Sequence, residues 1–128
     1  MSELTTSLAV DGEPTLSHGA RLTMTISNPT KTTQKFCAYH TPFEGIRSEF
    51  LEVLDHKGVA VQYRGELARR SPPTEKDWKS VAPGASIRAS FELKAIYTLA
   101  AATYTVRFRG SAVNGLKDTP AISITVAP

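Results

Sequence analysis

The sequence predicts an all-β protein, an antiparallel β-sandwich of about seven to nine strands. Three observations predict this fold. Apolar and polar residues alternate with a period of two, turn-rich gaps separate the alternating segments, and helix signals are scarce. Such strands place one face against a core and the other in water, as antiparallel sheets do. We expect one domain that spans residues 1–128.

Four segments show the alternation most clearly. In residues 20–27, the apolar side chains of Leu22, Met24 and Ile26 occupy every second position. The same pattern recurs in residues 86–93, 103–109 and 122–126. Each of these segments is therefore predicted to be a strand with one buried face.

Other elements are predicted from weaker patterns. Further strands are expected at residues 4–10, 35–40, 48–55 and, after a tight turn, 59–63. Short helical turns are expected at residues 73–78, with Thr74 as the cap, and at residues 95–101. The sequence predicts a long irregular loop at residues 64–83.

Tyr104 begins one of the late strands. In immunoglobulin-like folds, a tyrosine at this position binds the backbone just before its strand and is called the tyrosine corner. The position of Tyr104 therefore favours the immunoglobulin-like form of the sandwich, and a structural role for this side chain.

Composition narrows the classes of function. The net charge is only +3, and the basic residues are spread among acids, which is not typical of a nucleic-acid-binding surface. No apolar run approaches the roughly 20 residues of a membrane span, and the first residues do not resemble a signal peptide. We therefore expect no nucleic acid, no membrane and a cytoplasmic location, or secretion if the start has been trimmed.

Motifs for catalysis are missing from the sequence. His18, His40 and His56 are far apart, none is followed by Glu, and no Gly-x-Ser-x-Gly elbow is present. The single cysteine, Cys37, is flanked by apolar residues and is predicted to be a buried free thiol. We predict that the protein is not an enzyme and that it needs no metal or other cofactor.

The predicted loop at residues 64–83 is the first candidate for binding a partner. It contains the pair Arg69–Arg70, the stiff pair Pro72–Pro73 and the single tryptophan, Trp78. We favour the interpretation that Trp78 packs the loop against the sandwich. The alternative is an exposed aromatic side chain that contacts a partner, because tryptophan is enriched at binding hot spots.

Several short motifs follow one another in a recognisable order: LTMTISN at 22–28, HTPFEG at 40–45, RR-x-PPT-x-x-DW at 69–78, PGAS at 83–86 and TYTV at 103–106. This order, across residues 22–108, resembles the amino-terminal β-sandwich domain of the aspzincin metalloendopeptidases, the deuterolysin and peptidyl-lysine-cleaving group. The zinc-binding helical domain of that family has no counterpart here. The resemblance therefore carries over no catalytic residue.

The resemblance implies a protein-binding domain that inhibits a zinc metalloprotease or acts on it like a pro-segment. The alternative is a structural or scaffold module with no link to a protease. A carbohydrate-binding sandwich fits less well, because such domains normally expose a row of aromatic side chains. The predicted partner-binding residues are Arg64, Arg69, Arg70, Pro72, Pro73, Asp77, Trp78, His40, Phe43 and Glu44.

Overall fold

The protein is all-β, and its strands pair in antiparallel sheets, as predicted. The structure is a computed structural model that describes residues 3–128. Within this range the strands are β1 (Thr5–Thr15), β2 (Gly19–Ser27), β3 (Gln34–Cys37), β4 (Leu51–Leu54), β5 (Trp78–Val81), β6 (Ser86–Glu92), β7 (Ala102–Phe108) and β8 (Ile122–Val126). Two short 3-10 turns, Glu75–Asp77 and Leu93–Ala95, are the helical segments of this part of the chain.

The strands form three sheets. The first has the order β1-β2-β6, the second has the order β4-β7-β8, and β3 and β5 form a separate pair. In the first sheet, Met24 of the central strand lies opposite Leu8 of β1 and Ala89 of β6. This register places the apolar positions of neighbouring strands on the same face, as the alternation of the sequence requires.

A single buried cluster includes side chains from all three sheets. Leu22, Met24 and Ile26 of β2 are fully buried, which confirms the predicted inward face of this strand. The β3–β5 pair contributes Phe36 and Val81 to the same cluster. Burial of these apolar side chains is the main source of stability, at about 1.5–3 kcal/mol for a fully buried large side chain.

Cys37 is the last residue of β3, and its side chain is fully buried. It lies opposite Trp78 in the β3–β5 pair and forms no disulfide. The prediction of a buried free thiol is confirmed. Because the thiol is enclosed, Cys37 acts in the fold as a small apolar side chain.

Three of the predicted elements differ from the structure. The short helical turn expected at residues 95–101 lies instead at Leu93–Ala95. Residues 59–63 form isolated bridges, Leu54 with Ala60 and Tyr63 with Tyr97, and not a strand. The expected tight turn is present, because Asp55 accepts hydrogen bonds from the backbone of Lys57 and Val59, and Val61 then donates to the Val53 carbonyl of β4. The pairing with β4 ends there, and Tyr63 bridges to Tyr97 instead. The predicted loop at 64–83 also contains strand β5, because the backbone of β3 pairs with it.

Tyr104 binds the backbone just before its own strand. Its hydroxyl donates to the carbonyl oxygen of Ala100 at 3.1 Å and accepts from the backbone nitrogen of Ala100 at 2.8 Å. Both bonds join the start of β7 to the segment that leads into it. The local contact expected of a tyrosine corner is therefore present.

Replacing Tyr104 with Phe removes both of these bonds and leaves the buried ring in place. We expect Tyr104→Phe to lower the free energy of unfolding by about 1 kcal/mol, the usual net value of lost hydrogen bonds. Urea unfolding followed by tryptophan fluorescence measures the change. Thr105→Ser, on the exposed face of the same strand, is the control and should unfold like the wild type. Equal midpoints for Tyr104→Phe and the wild type would contradict this expectation.

Candidate functional site

The turn at residues 40–45 is held in shape by its own polar side chains. His40 has a left-handed backbone with φ 58°, which is uncommon outside glycine. Its ring Nδ1 lies 2.9 Å from the hydroxyl of Ser48, and its backbone nitrogen donates to the Glu44 carboxylate at 2.9 Å. The fully buried Thr41 donates to the carbonyl oxygen of Ala38. These contacts fix the direction of the Glu44 side chain.

A buried asparagine supports this turn from the other side. The side-chain nitrogen of Asn114 donates to the carbonyl oxygens of Tyr39 at 3.2 Å and His40 at 3.3 Å. Its side-chain oxygen accepts from the backbone nitrogens of Ser111 and Leu116. From the sequence, Asn114-Gly115 indicates only a turn. The contact of Asn114 with the candidate site depends on the tertiary fold and has no local signal.

The segment at residues 64–77 is fastened along its length. The backbone nitrogen of Arg64 donates to the carbonyl of Ile96, and that of Ala68 donates to the carbonyl of Arg47. At the far end, the Asp77 carbonyl accepts from the backbone nitrogen of Ala38 at 2.8 Å. Although it is irregular, the segment therefore has a defined path across the protein surface.

Arg70 joins this segment to the turn at residues 40–45. Its guanidinium forms an ion pair with the Glu44 carboxylate. The same guanidinium lies over the ring of Tyr39, with its central carbon 4.4 Å from the ring centroid, in a cation–π contact. The Arg70 side chain is only 18% exposed, so these contacts are partly shielded from water. The structure thus brings together the two segments that the sequence predicts to bind a partner.

Asp77 and Tyr39 form a hydrogen bond close to the Arg70 guanidinium. The Asp77 carboxylate accepts from the backbone nitrogen of Thr74 at 2.9 Å and from the Tyr39 hydroxyl at 3.1 Å. The bond from Thr74 is the main reason why the pKa of Asp77 lies below its ordinary value. Burial and the neighbouring carboxylate raise the pKa of the Tyr39 phenol. Near neutral pH, Asp77 is therefore ionised, and Tyr39 remains a hydrogen-bond donor.

A surface cleft of about 470 Å³ opens at this point. We call it the Arg70 cleft. It is lined by Tyr39, Arg47, Arg69, Arg70, Ser71, Pro72, Thr74, Lys76 and Asp77. Among the predicted site residues, Arg69, Arg70, Pro72 and Asp77 line the cleft. Arg47 and Lys76 also line it, although the sequence reasoning did not single them out.

The other predicted site residues lie elsewhere. Arg64 lines a separate cavity and donates to the Thr98 hydroxyl. Pro73 is exposed and is not among the residues that line the Arg70 cleft. Phe43 packs edge-on against Phe36, with 5.4 Å between ring centroids, and is only partly accessible.

Trp78 does not pack a loop against the protein. It is the first residue of β5, is 44% exposed, and lines a third cavity, of about 360 Å³, together with Val113. The favoured interpretation of Trp78 is therefore wrong. The physical reason is the alternation along the chain: the Asp77 side chain contacts Tyr39, and the next side chain points away from the Arg70 cleft.

The Glu44 side chain is held within the protein. Its carboxylate is occupied by Arg70 and by the backbone of His40, and its side chain is only 10% exposed. Within residues 3–128, no group of three or more His, Cys, Asp or Glu side chains is placed to hold a metal ion. In the same range, no helix has the length and apolar character needed to cross a lipid bilayer.

Comparison with known proteins identifies no family for this chain. No protein-family model matches it, and a search of the curated proteins finds no match either. The resemblance to the aspzincin domain therefore stays a prediction.

The lowered pKa of Asp77 predicts a pH-dependent contribution to stability. A carboxyl group whose pKa is lower in the folded state stabilises the fold above its unfolded pKa of about 3.9, and this contribution is lost as the pH falls through the folded pKa. We therefore expect the wild type to exceed Asp77→Asn in free energy of unfolding at pH 7, and expect this difference to shrink at acid pH.

Urea unfolding at intervals from about pH 7 to about pH 2.5 measures this difference. Ser71→Ala is the control, because it changes a residue of the same cleft that does not titrate. The difference between Ser71→Ala and the wild type should not vary with pH. A difference for Asp77→Asn that stays constant across the range would contradict the assignment of Asp77.

Proposed function

We propose that this protein is a non-catalytic protein-binding domain whose contact surface is centred on the Arg70 cleft. The observation that supports the proposal is the contact of Arg70 with Glu44 and Tyr39, because it joins two separate segments into one surface. The surface carries exposed Arg69 and Pro72 at its rim. Arginine and aromatic side chains held in a defined geometry are typical of binding hot spots.

The neighbouring strand pair adds two features that suit a protein partner. Trp78 and Val113 are both exposed and line one cavity, so an apolar side chain of a partner has a place to pack. In the described part of the chain, β5 pairs with β3 alone, and its other edge is open. An open strand edge can take up an extended segment of a partner through backbone hydrogen bonds.

The partner that we propose to test first is a zinc metalloprotease, with this protein as its inhibitor or pro-segment-like partner. This choice rests on the resemblance to the aspzincin domain. It is consistent with binding through a loop and an open strand edge. Neither a nucleic acid nor a membrane is proposed as a partner, and a cytoplasmic location stays a prediction.

We also propose that the sheets β1-β2-β6 and β4-β7-β8 face each other as an immunoglobulin-like β-sandwich. Both sheets contribute side chains to one buried cluster, and Tyr104 makes the local contact of a tyrosine corner. Sandwiches of this type serve many unrelated functions. The function therefore rests on the surface and not on the fold.

The proposed partner can be tested by titrating this protein into a peptidyl-lysine-cleaving aspzincin and measuring residual peptidase activity. Binding of the two proteins should be measured in parallel by biolayer interferometry. We expect inhibition, and we expect Arg69→Ala with Trp78→Ala to weaken binding about tenfold, which corresponds to about 1.4 kcal/mol.

Arg88→Ala with Val59→Ala is the matched control, because it removes an exposed cation and an exposed apolar side chain away from the proposed surface. This control should bind like the wild type. Neither binding nor inhibition at large molar excess would rule out the protease and favour the alternative, a scaffold module. Equal weakening by both variants would show that the surface is wrongly placed.

A further inference from the structure

The Arg70 cleft concentrates positive charge. The cations that line it are Arg47, Arg69, Arg70 and Lys76. Two of them are paired: Arg70 with Glu44, and Arg47 with Glu66 at 3.6 Å. Arg69 and Lys76 are exposed, and among residues 3–128 neither has a carboxylate within ion-pair distance.

In the described part of the chain, the carboxylates near the cleft leave two of its cations without an ion-pair partner. Asp77 is the one acid among its lining residues, and neutral donors, the Thr74 nitrogen and the Tyr39 hydroxyl, hold its carboxylate. Glu44 and Glu66 are already paired with Arg70 and Arg47, and Glu75 is exposed to solvent. Arg69 and Lys76 therefore remain available to an acidic group that enters the cleft.

The cleft is also organised before any ligand arrives. The Arg70 guanidinium is fixed between Glu44 and the Tyr39 ring. Pro72 and Pro73 restrict the backbone that follows, and the 3-10 turn Glu75–Asp77 fixes the far wall. Because these parts of the cleft are already ordered, binding a ligand immobilises few of their groups, which lowers the entropic cost of association.

We propose that the Arg70 cleft binds a carboxylate side chain on an acidic peptide segment of the partner protein. This inference deepens the proposed function and rests on it. Arg69 and Lys76 line the same cleft and can donate charge-assisted hydrogen bonds to a carboxylate. In the described part of the chain, the cations of the cleft form no extended track of the kind that a nucleic acid backbone follows.

A fluorescein-labelled hexaglutamate peptide is the probe for this site. Its binding is measured by fluorescence anisotropy at low and moderate salt, beside hexaglutamine, a phosphoserine peptide of equal length and an oligothymidylate. We expect hexaglutamate to bind and hexaglutamine not to bind. The affinity should fall with salt, because exposed ion pairs are screened.

The cleft variant is Arg69→Gln with Lys76→Gln, which leaves the structural contacts of Arg70 intact. The matched control, Arg21→Gln with Arg88→Gln, removes the same charge from exposed positions on β2 and β6. We expect the cleft variant to bind hexaglutamate about tenfold more weakly, because it loses two exposed ion pairs with the peptide. The control should bind as the wild type does.

Several results would overturn the inference. These are no binding of hexaglutamate, equal weakening by the cleft variant and the control, or preferred binding of the phosphoserine peptide or the oligothymidylate. If hexaglutamate does not bind while the metalloprotease still binds, the inference of a carboxylate-binding site is wrong and the proposed function stands. If hexaglutamate binds in the cleft and no protease binds, the site stands and the protease partner is wrong.

Discussion

The candidate site depends on how the protein accommodates one partly buried positive charge. A guanidinium removed from water is costly unless an opposite charge and other favourable contacts surround it. Arg70 has both, because Glu44 supplies the negative charge and the Tyr39 ring supplies a π face. Together, the ion pair with Glu44 and the cation–π contact with Tyr39 stabilise the charge of Arg70 and hold its guanidinium in place.

That arrangement is connected to the core through backbone contacts. Asn114 holds the carbonyls of Tyr39 and His40 from below, and the Asp77 carbonyl accepts from Ala38, directly after β3. Since Phe36 in β3 belongs to the buried cluster, the site is built on a strand that the core itself fixes in place. Sites on such supports are positioned more accurately than sites on loops that are attached only at their ends.

The sequence predicts the regular strands well and the site only in part. In β2 the period-two alternation is strong enough to show which side chains are buried. In β5, by contrast, Trp78, Lys79 and Ser80 are all exposed, so only Val81 carries a signal of burial and the strand resembles a loop. The contacts of Arg70 with Glu44 and of Asn114 with His40 join residues far apart in the chain, where local patterns carry no information.

The buried thiol of Cys37 provides a way to detect local unfolding of the protein. Because the Cys37 side chain is fully buried, a thiol reagent can reach the sulfur only when the structure around it opens, and the chain has no second cysteine that would react. With the intrinsic reactivity of the thiol known, the rate of labelling reports on the free energy of that local opening when reclosing is fast. Because Tyr39 and His40 follow closely after Cys37, a ligand that steadies the cleft would also slow the labelling. Labelling of this buried cysteine would therefore report whether the Arg70 cleft is occupied.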